Sequence, residues 1–506
     1  MKKYIKNIST ACVALSSLFM VGCTDSFEEV NTDPDNAENA PTENLLAYSL
    51  YNTSYRFYDR WFAMDEPMSF GGYVAKMSYI DESRYQFRPG VQDTNWEHIY
   101  RVLNNVMDIQ RRSEASPNML NVAKVLEAHV IQIATDRWRD VPYSDAVKMA
   151  DGVLTPKYDK QEDIYPALLA KLKEAADGFA AGGDDDISGG DLLFHGDMLK
   201  WQKYCNSLRL RLAIRISEVS PALARQTVEE VLADPANYPI MEDNDDNAFF
   251  WWLEGDGNYY EPIADAYRTR KSEFCCSDVM VNYLLENKDP RISVYCEPTP
   301  SSQTPPSEGD TESDYTDGTP VYRGYTIGAT TNPPSRLYSV WGKRFGIDLG
   351  GFSPYMRVAE VYFHIAEAAK LGYNTKGVTA EEAYNKAVRF SLEENGVAEG
   401  DIEAYMAGAG KFKDDMKQIW YEEWVAMFKQ AMEGWSLYRR TGVPETHYIA
   451  PGRATKYANH NVPPFRSPYP NTELSLNKTN NAPFNAEVVD NFWGKQMWWD
   501  TRTGVH

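Results

Sequence analysis

Residues 356–387 read Met-Arg-Val-Ala-Glu-Val-Tyr-Phe-His-Ile-Ala-Glu-Ala-Ala-Lys-Leu-Gly-Tyr-Asn-Thr-Lys-Gly-Val-Thr-Ala-Glu-Glu-Ala-Tyr-Asn-Lys-Ala. Met356, Ala359, Phe363 and Ala366 recur at helical spacing and form one apolar face. Gly372 then stops the helix, because glycine takes the left-handed turn that ends helices at little cost. Thr379 and Glu382 have the spacing of a capping box, which opens a second helix ahead of Ala383 and Ala387. The stretch therefore predicts two helices joined by a short turn, with small residues where they meet.

Outward from this pair the same period returns. Ser116-Pro117 supplies a cap and a first-turn proline, and Val122, Leu126, Val130 and Ile133 follow at helical spacing. Leu168, Leu169, Leu172, Ala176 and Phe179 mark a further helix that ends near Gly182. Trp201, Leu208, Leu212 and Ile216 mark another, closed by Pro221, and a single long helix is expected from Lys413 to Tyr438. Helix pairs with small contact residues resemble tetratricopeptide (TPR) units, although the period is not sustained. The expected fold is all-α: TPR-like helix pairs in an α-α superhelix, lying mainly within 45–233 and 355–440. They pack against a loop-rich half. That half is an insertion over 234–354, rich in Pro, Gly, Asn and aromatic residues, with an irregular C-terminal segment over 441–506.

The N-terminus reads as an export leader. Lys2, Lys3 and Lys6 precede the apolar run Ala11–Val21, which is too short to span a bilayer, and Gly22-Cys23 follows. This resembles a lipobox, so residues 1–22 are expected to be removed and Cys23 acylated. The polar stretch 23–44 then forms a tether. Removing the leader takes away three lysines and no acid, which moves the net charge from −22 to −25. Such a surface repels phosphate backbones and argues against nucleic acid as a partner. No later apolar run has spanning length, so the lipid would be the only membrane anchor. Cys205, Cys275, Cys276 and Cys296 complete the cysteines of the mature chain. They contain no CxxC motif. Adjacent Cys275 and Cys276 are poorly placed to bond each other. Either could pair with Cys296, and buried free thiols are the alternative.

Catalytic signatures are missing: there is no HExxH, P-loop or GxSxG. Glu360, His364 and Glu367 share a helix face, but no second ligand pair accompanies them, and a structural role is expected. His129 lies on an apolar helix and reads as a hydrogen-bonded core residue. Two acidic loops partly match calcium loops. Asp184, Asp186, Ser188 and Gly189 fit the first half of an EF-hand, but His195 stands where its Glu belongs. Asp243, Asp245, Asn247 and Glu254 fit at four positions, but Ala248 replaces the turn glycine. A calcium site outside the EF-hand class, at Asp243, Asp245, Asn247 and Glu254, is the one cofactor candidate. The remaining signal is aromatic. Trp61, Trp96, Trp251, Trp252, Tyr259, Tyr325 and Trp341 lie mostly in polar or Gly-rich surroundings. Flat rings there can stack on sugar faces or peptide side chains, or else plug loops onto the helical shell.

Seven segments in order carry a family resemblance. They are Phe27-Glu-Glu-Val-Asn-Thr-Asp-Pro34, Trp96-Glu-His-Ile-Tyr100 with Asn104-Asn105, Trp201–Ala213, Asp289-Pro-Arg291, Arg357–Glu367, Trp435–Pro444, and Pro464–Pro470 with Glu473 and Asn477. Behind a lipobox, this set resembles the SusD/RagB family of nutrient-binding outer-membrane lipoproteins. It is most similar to the SusD-like branch described as starch-binding and associating with the outer membrane. The resemblance implies a surface lipoprotein facing the cell exterior. It would bind a nutrient oligosaccharide and deliver it to a TonB-dependent, SusC-like transporter. Peptide capture, as in RagB-like members, is the nearest alternative, and a surface glycosidase is the alternative from another class. Trp96 carries over from the motif that neighbours the ligand site in starch-binding members. Arg439, Arg440 and Glu367 read as structural, in buried ion pairs or caps. Replacement Cys23→Ala is expected to abolish fatty-acid labelling and move the chain from the membrane to the soluble fraction, measured by metabolic labelling and fractionation.

Overall fold

The computed structural model describes residues 40–506 other than 113, 272, 310–312 and 333. The leader, Cys23, the Phe27–Pro34 motif and most of the tether lie outside the described residues. No described helix is long and apolar enough to cross a membrane.

Six helices open the chain: α1 (Thr42–Arg56), α2 (Pro89–Arg111), α3 (Pro117–Trp138), α4 (Gln161–Ala181), α5 (Met198–Arg215) and α6 (Pro221–Ala233). Each packs on the next. Proline stands at the first turn of α2, α3 and α6, where its missing N–H costs nothing. After α6 come short strands and several short helices, the longest of them α7 (Asp278–Glu286). Strand β1 (Val74–Lys76) pairs antiparallel with β3 (Phe274–Cys276), with Val74 opposite Cys276. Strand β2 (Ala248–Trp251) pairs with β4 (Phe352–Met356), with Trp251 opposite Phe352.

Helix α8 (Val358–Lys370) and α9 (Ala380–Glu394) form the pair that opened the sequence reading. Gly372 takes a φ of 74° just past α8. The capping box is complete: the Glu382 N–H donates to Thr379 Oγ1 at 3.1 Å, and the Thr379 N–H donates to Glu382 Oε2 at 2.8 Å. Ala383 and Ala387 are fully buried. The fold is all-α with TPR-like pairs.

The single helix expected over Lys413–Tyr438 is corrected. The chain makes α10 (Met416–Ala426) and α11 (Ala431–Thr441), broken at Lys429, whose φ is 72°. The cause is a buried ion pair. Lys429 Nζ lies 3.2 Å from Glu261 Oε1, and both residues are buried. A buried ammonium needs its partner, so the backbone leaves helical geometry to deliver it.

One charged network sits where the helices converge. Arg215 of α5 donates to Asp136 of α3 at 2.7 Å and to Glu433 of α11. Arg211 of α5 donates to Glu360 of α8 at 2.8 Å, and Gln132 of α3 donates to Glu433 at 2.7 Å. Tyr165 of α4 and the Trp499 indole also donate to Asp136, at 2.6 and 3.0 Å. Glu360, His364 and Glu367 are therefore engaged as structural groups. His364 faces Glu423 at 3.2 Å, and Glu367 accepts from Arg440 at 2.8 Å and from the Trp420 indole at 2.9 Å. Among the described residues, Arg439 forms no ion pair. It stacks on Trp435 at 3.7 Å and donates to the Asp136 and Phe465 carbonyls.

Burial alone would raise the Glu433 carboxyl, but the Arg211 and Arg215 guanidiniums outweigh it and pull it down to about 2. A carboxyl depressed on folding stabilises the fold above its unfolded value of 4.5, and that contribution is lost as pH falls toward about 2. Replacement Glu433→Gln leaves two buried guanidiniums short of charge and is expected to cost about 3–5 kcal/mol. Thermal melts should show a lower Tm at neutral pH, and less further loss than the wild type between pH 4.5 and the acid limit.

Candidate ligand-binding cleft

Helix α7 forms one wall of a surface cleft. The Ser277 hydroxyl caps it, accepting from the Met280 N–H at 3.0 Å and donating to the Gly72 carbonyl at 2.6 Å. Val279, Met280, Val281 and Leu284 turn inward, which leaves Asn282 and Glu286 exposed and Tyr283 half-buried. Helix α10 adds Tyr421 beside it. Its ring lies parallel to Tyr283 at 4.9 Å with 2° between planes, and Trp424 meets Tyr283 edge-on at 5.9 Å. The Tyr421 hydroxyl accepts from the Glu445 N–H at 3.0 Å, which holds the 445–448 loop against the helix. His447 is buried, with Nε2 2.9 Å from the Phe70 carbonyl, and the next residue, Tyr448, stands 71% exposed at the rim.

The cleft has a volume of about 440 Å³. Asn282, Glu286 and Thr446 carry no side-chain hydrogen bond to the protein among the described residues, so their polar atoms face the opening. Asp278 is engaged, accepting from Thr326 at 2.6 Å. Among the described residues, no Lys or Arg lines this space. Burial pushes the Tyr283 and Tyr421 hydroxyls up from their ordinary values, so both rings stay neutral. A second cavity of about 490 Å³ shares Glu286 and Asn287 with the first and continues past Lys288 to Asp401 and Tyr405. The groove thus follows the C-terminal end of α7. By contrast, the enclosed void beside His129 and Arg211 measures about 20 Å³, room for one water and no nutrient. His129 has its Nδ1 2.9 Å from the Tyr204 hydroxyl, and burial depresses it to about 3, which keeps it neutral.

None of the seven aromatics expected from sequence lines this cleft. Trp61 is 38% exposed, with the Arg60 guanidinium 4.6 Å above its ring. Trp251 is 58% exposed on the outer side of β2. Tyr259 and Trp252 do come together, each edge-on to Tyr51 at 6.0 and 5.7 Å, but Trp252 is buried behind the patch. Trp96 is 6% exposed, enclosed by Tyr100 at 5.0 Å and Trp138 at 5.1 Å. Tyr325 is buried edge-on to Tyr338, and Trp341 is buried in a stack with Tyr267. As placed, Trp96, Trp252, Tyr325 and Trp341 pack the fold. Their sequence neighbours are polar, but their spatial neighbours are rings. Sequence reasoning missed Tyr283, Tyr421 and Tyr448, and only helical phase could have marked Tyr283, as a half-exposed ring on an amphipathic helix.

The calcium candidates serve as turn caps. Asp243 accepts from the Asp245 N–H at 2.9 Å, and Asn247 Oδ1 accepts from the Val358 N–H at 2.8 Å. Glu254 lies exposed in the following loop, and Asp186 caps Ser188 at 2.8 Å. Among the described residues, no group of three or more His, Cys, Asp or Glu could hold a metal ion.

A SusD-like family model, described as starch-binding and associating with the outer membrane, matches residues 34–470. The chain belongs to this family. A solved chitin-binding protein is 27% identical with a TM-score of 0.74, covering 91% of this chain and 100% of that one. A chitin-binding SusD homologue from Flavobacterium johnsoniae is 22% identical with a TM-score of 0.76, covering 91% of this chain and 99% of its own. A SusD-like protein from Bacteroides thetaiotaomicron is 22% identical with a TM-score of 0.77, covering 92% and 100%. These last two speak to the fold alone. No curated protein matches the sequence.

Burial separates the tryptophans by their cost. Trp96→Ala is expected to destabilise by about 3–5 kcal/mol, as a large core truncation. Trp251→Ala should stay within about 0.5 kcal/mol, and denaturant melts of the two variants test the contrast.

Proposed function

We propose that this SusD-like chain is a binding protein for neutral oligosaccharides, held at the outer membrane by a lipid on Cys23, facing outward, and working with a TonB-dependent, SusC-like transporter. The observation that carries the ligand assignment is the Tyr283–Tyr421 pair flanked by unengaged Asn282, Glu286 and Thr446. Sugar rings present apolar C–H faces that stack on aromatics, and their hydroxyls accept hydrogen bonds from amide N–H groups and donate them to carboxylates. The first cavity, lined by Asp278 and Glu286 and by no Lys or Arg among the described residues, disfavours phosphorylated or carboxylated ligands. The family description and the chitin-binding relative support the same ligand class.

Binding is favoured over glycoside hydrolysis because that reaction takes two carboxyl groups set across the scissile bond. Asp278 is occupied by Thr326, which leaves Glu286 alone in the first cavity. The exposure of Tyr448 makes it the ring to remove with least damage to the fold. Tyr448→Ala is expected to weaken oligosaccharide binding about 2–10-fold, the scale of one stacking contact. Calorimetry against a panel of starch, chitin and other neutral oligosaccharides reads the effect, with Trp251→Ala unchanged as the control. No saturable binding to any neutral glycan would remove the reading, and release of reducing ends would replace it with hydrolysis.

A further inference from the structure

Strand β3 ends in two adjacent cysteines, and strand alternation sends their side chains to opposite sides. Cys275 turns toward the small cluster of Met77, Tyr325 and Ile327, with its Sγ 3.6 Å from the Ala75 carbonyl. Cys276 turns the other way, into the cluster that holds Tyr295 and Trp341. Cys296 follows the short helix Ile292–Tyr295 and bridges antiparallel to Trp341. The Cys276 N–H donates to the Ser339 carbonyl at 2.9 Å, so the 339–341 stretch holds both cysteine backbones in place. Both side chains are fully buried, and their sulfurs are in direct contact at 2.8 Å. Cys205 is remote from them, buried with its Sγ 3.4 Å from the Leu172 carbonyl.

We propose that Cys276 and Cys296 are joined by a disulfide in the folded, exported protein, while Cys205 and Cys275 remain thiols. The two cysteines stand 20 residues apart and enclose α7, so the bond would close both ends of the segment that forms one wall of the cleft. A cross-link over such a loop restricts the unfolded chain and favours the folded one. Its formation is a thiol–disulfide exchange. The two thiols lose two protons and two electrons, the Sγ–Sγ bond forms through a mixed disulfide, and the disulfide of an oxidant is reduced to two thiols. That oxidant is a dithiol oxidase of the cell envelope or, in vitro, oxidised glutathione. Burial pushes the Cys276 thiol well above its ordinary range, so exchange precedes the covering of β3 during folding.

The test alkylates the full chain, purified from the cell envelope, under denaturing conditions without reductant, and maps the peptides by mass spectrometry. Alkylated Cys205 and Cys275 are expected, with one cross-linked peptide joining Cys276 to Cys296. All four should become alkylated after reduction. The same pattern should follow refolding with oxidised glutathione, which separates the pairing from the question of export. Alkylation of Cys276 and Cys296 without reductant in both preparations, or a link through Cys275, overturns the proposal. Reductant should also lower the Tm of the wild type and of Cys205→Ser, but not that of the Cys276→Ser/Cys296→Ser double variant. A reductant shift that persists in the double variant counts against the bond. The mapping needs only the wild-type chain and is independent of whether any glycan binds.

Discussion

Asp136, Arg215, Glu433, Arg211 and Glu360 form a buried relay of charges on which the helical arrangement depends. It joins α3, α5, α8 and α11, and Tyr165 and Trp499 tie α4 and the C-terminal segment to the same carboxylate. Buried charges add little net stability when paired and cost several kcal/mol when separated. Their effect is therefore selective: a packing that misplaces one helix strands an ion in a medium that cannot solvate it. Aliphatic contacts between helices tolerate sliding, and this network does not. The Lys429–Glu261 pair applies the same rule on a smaller scale, and there the backbone yields, giving up a helix to bring an ammonium to its carboxylate.

What could be read from sequence was what is local. Pro117, Gly182, Gly372 and the Thr379–Glu382 box act within a few residues of where they stand, and the helices they bound are present. The Arg440–Glu367 pair also met expectation, because a charged residue on a buried helix face must find a partner. The break at Lys429 was hidden because its cause lies in Glu261, far away in the chain. The burial of some candidate aromatics was hidden for a related reason. Trp96 and Trp341 have polar sequence neighbours, but Tyr100, Trp138 and Tyr267 close over them in space. The Asp243 turn has spacing close to that of a calcium loop, yet Asn247 spends its oxygen on the Val358 amide. Spacing is one-dimensional, and coordination or stacking is decided by which distant element arrives.

The cleft shows this division most plainly. No segment of the chain contains it. One ring comes from the insertion on α7, its parallel partner from α10 in the helical body, and the rim residue Tyr448 from the loop pinned by His447. The family relationship accounts for the shared architecture.

The parallel tyrosines have a mechanical consequence. Because each ring is mounted on a different part of the chain, the floor of the cleft is also a joint between them. A molecule laid across both rings would act as a splint, holding the insertion to the helical body for as long as it stayed. Whatever is captured there would make its own captor stiffer, and its departure would let the joint loosen again.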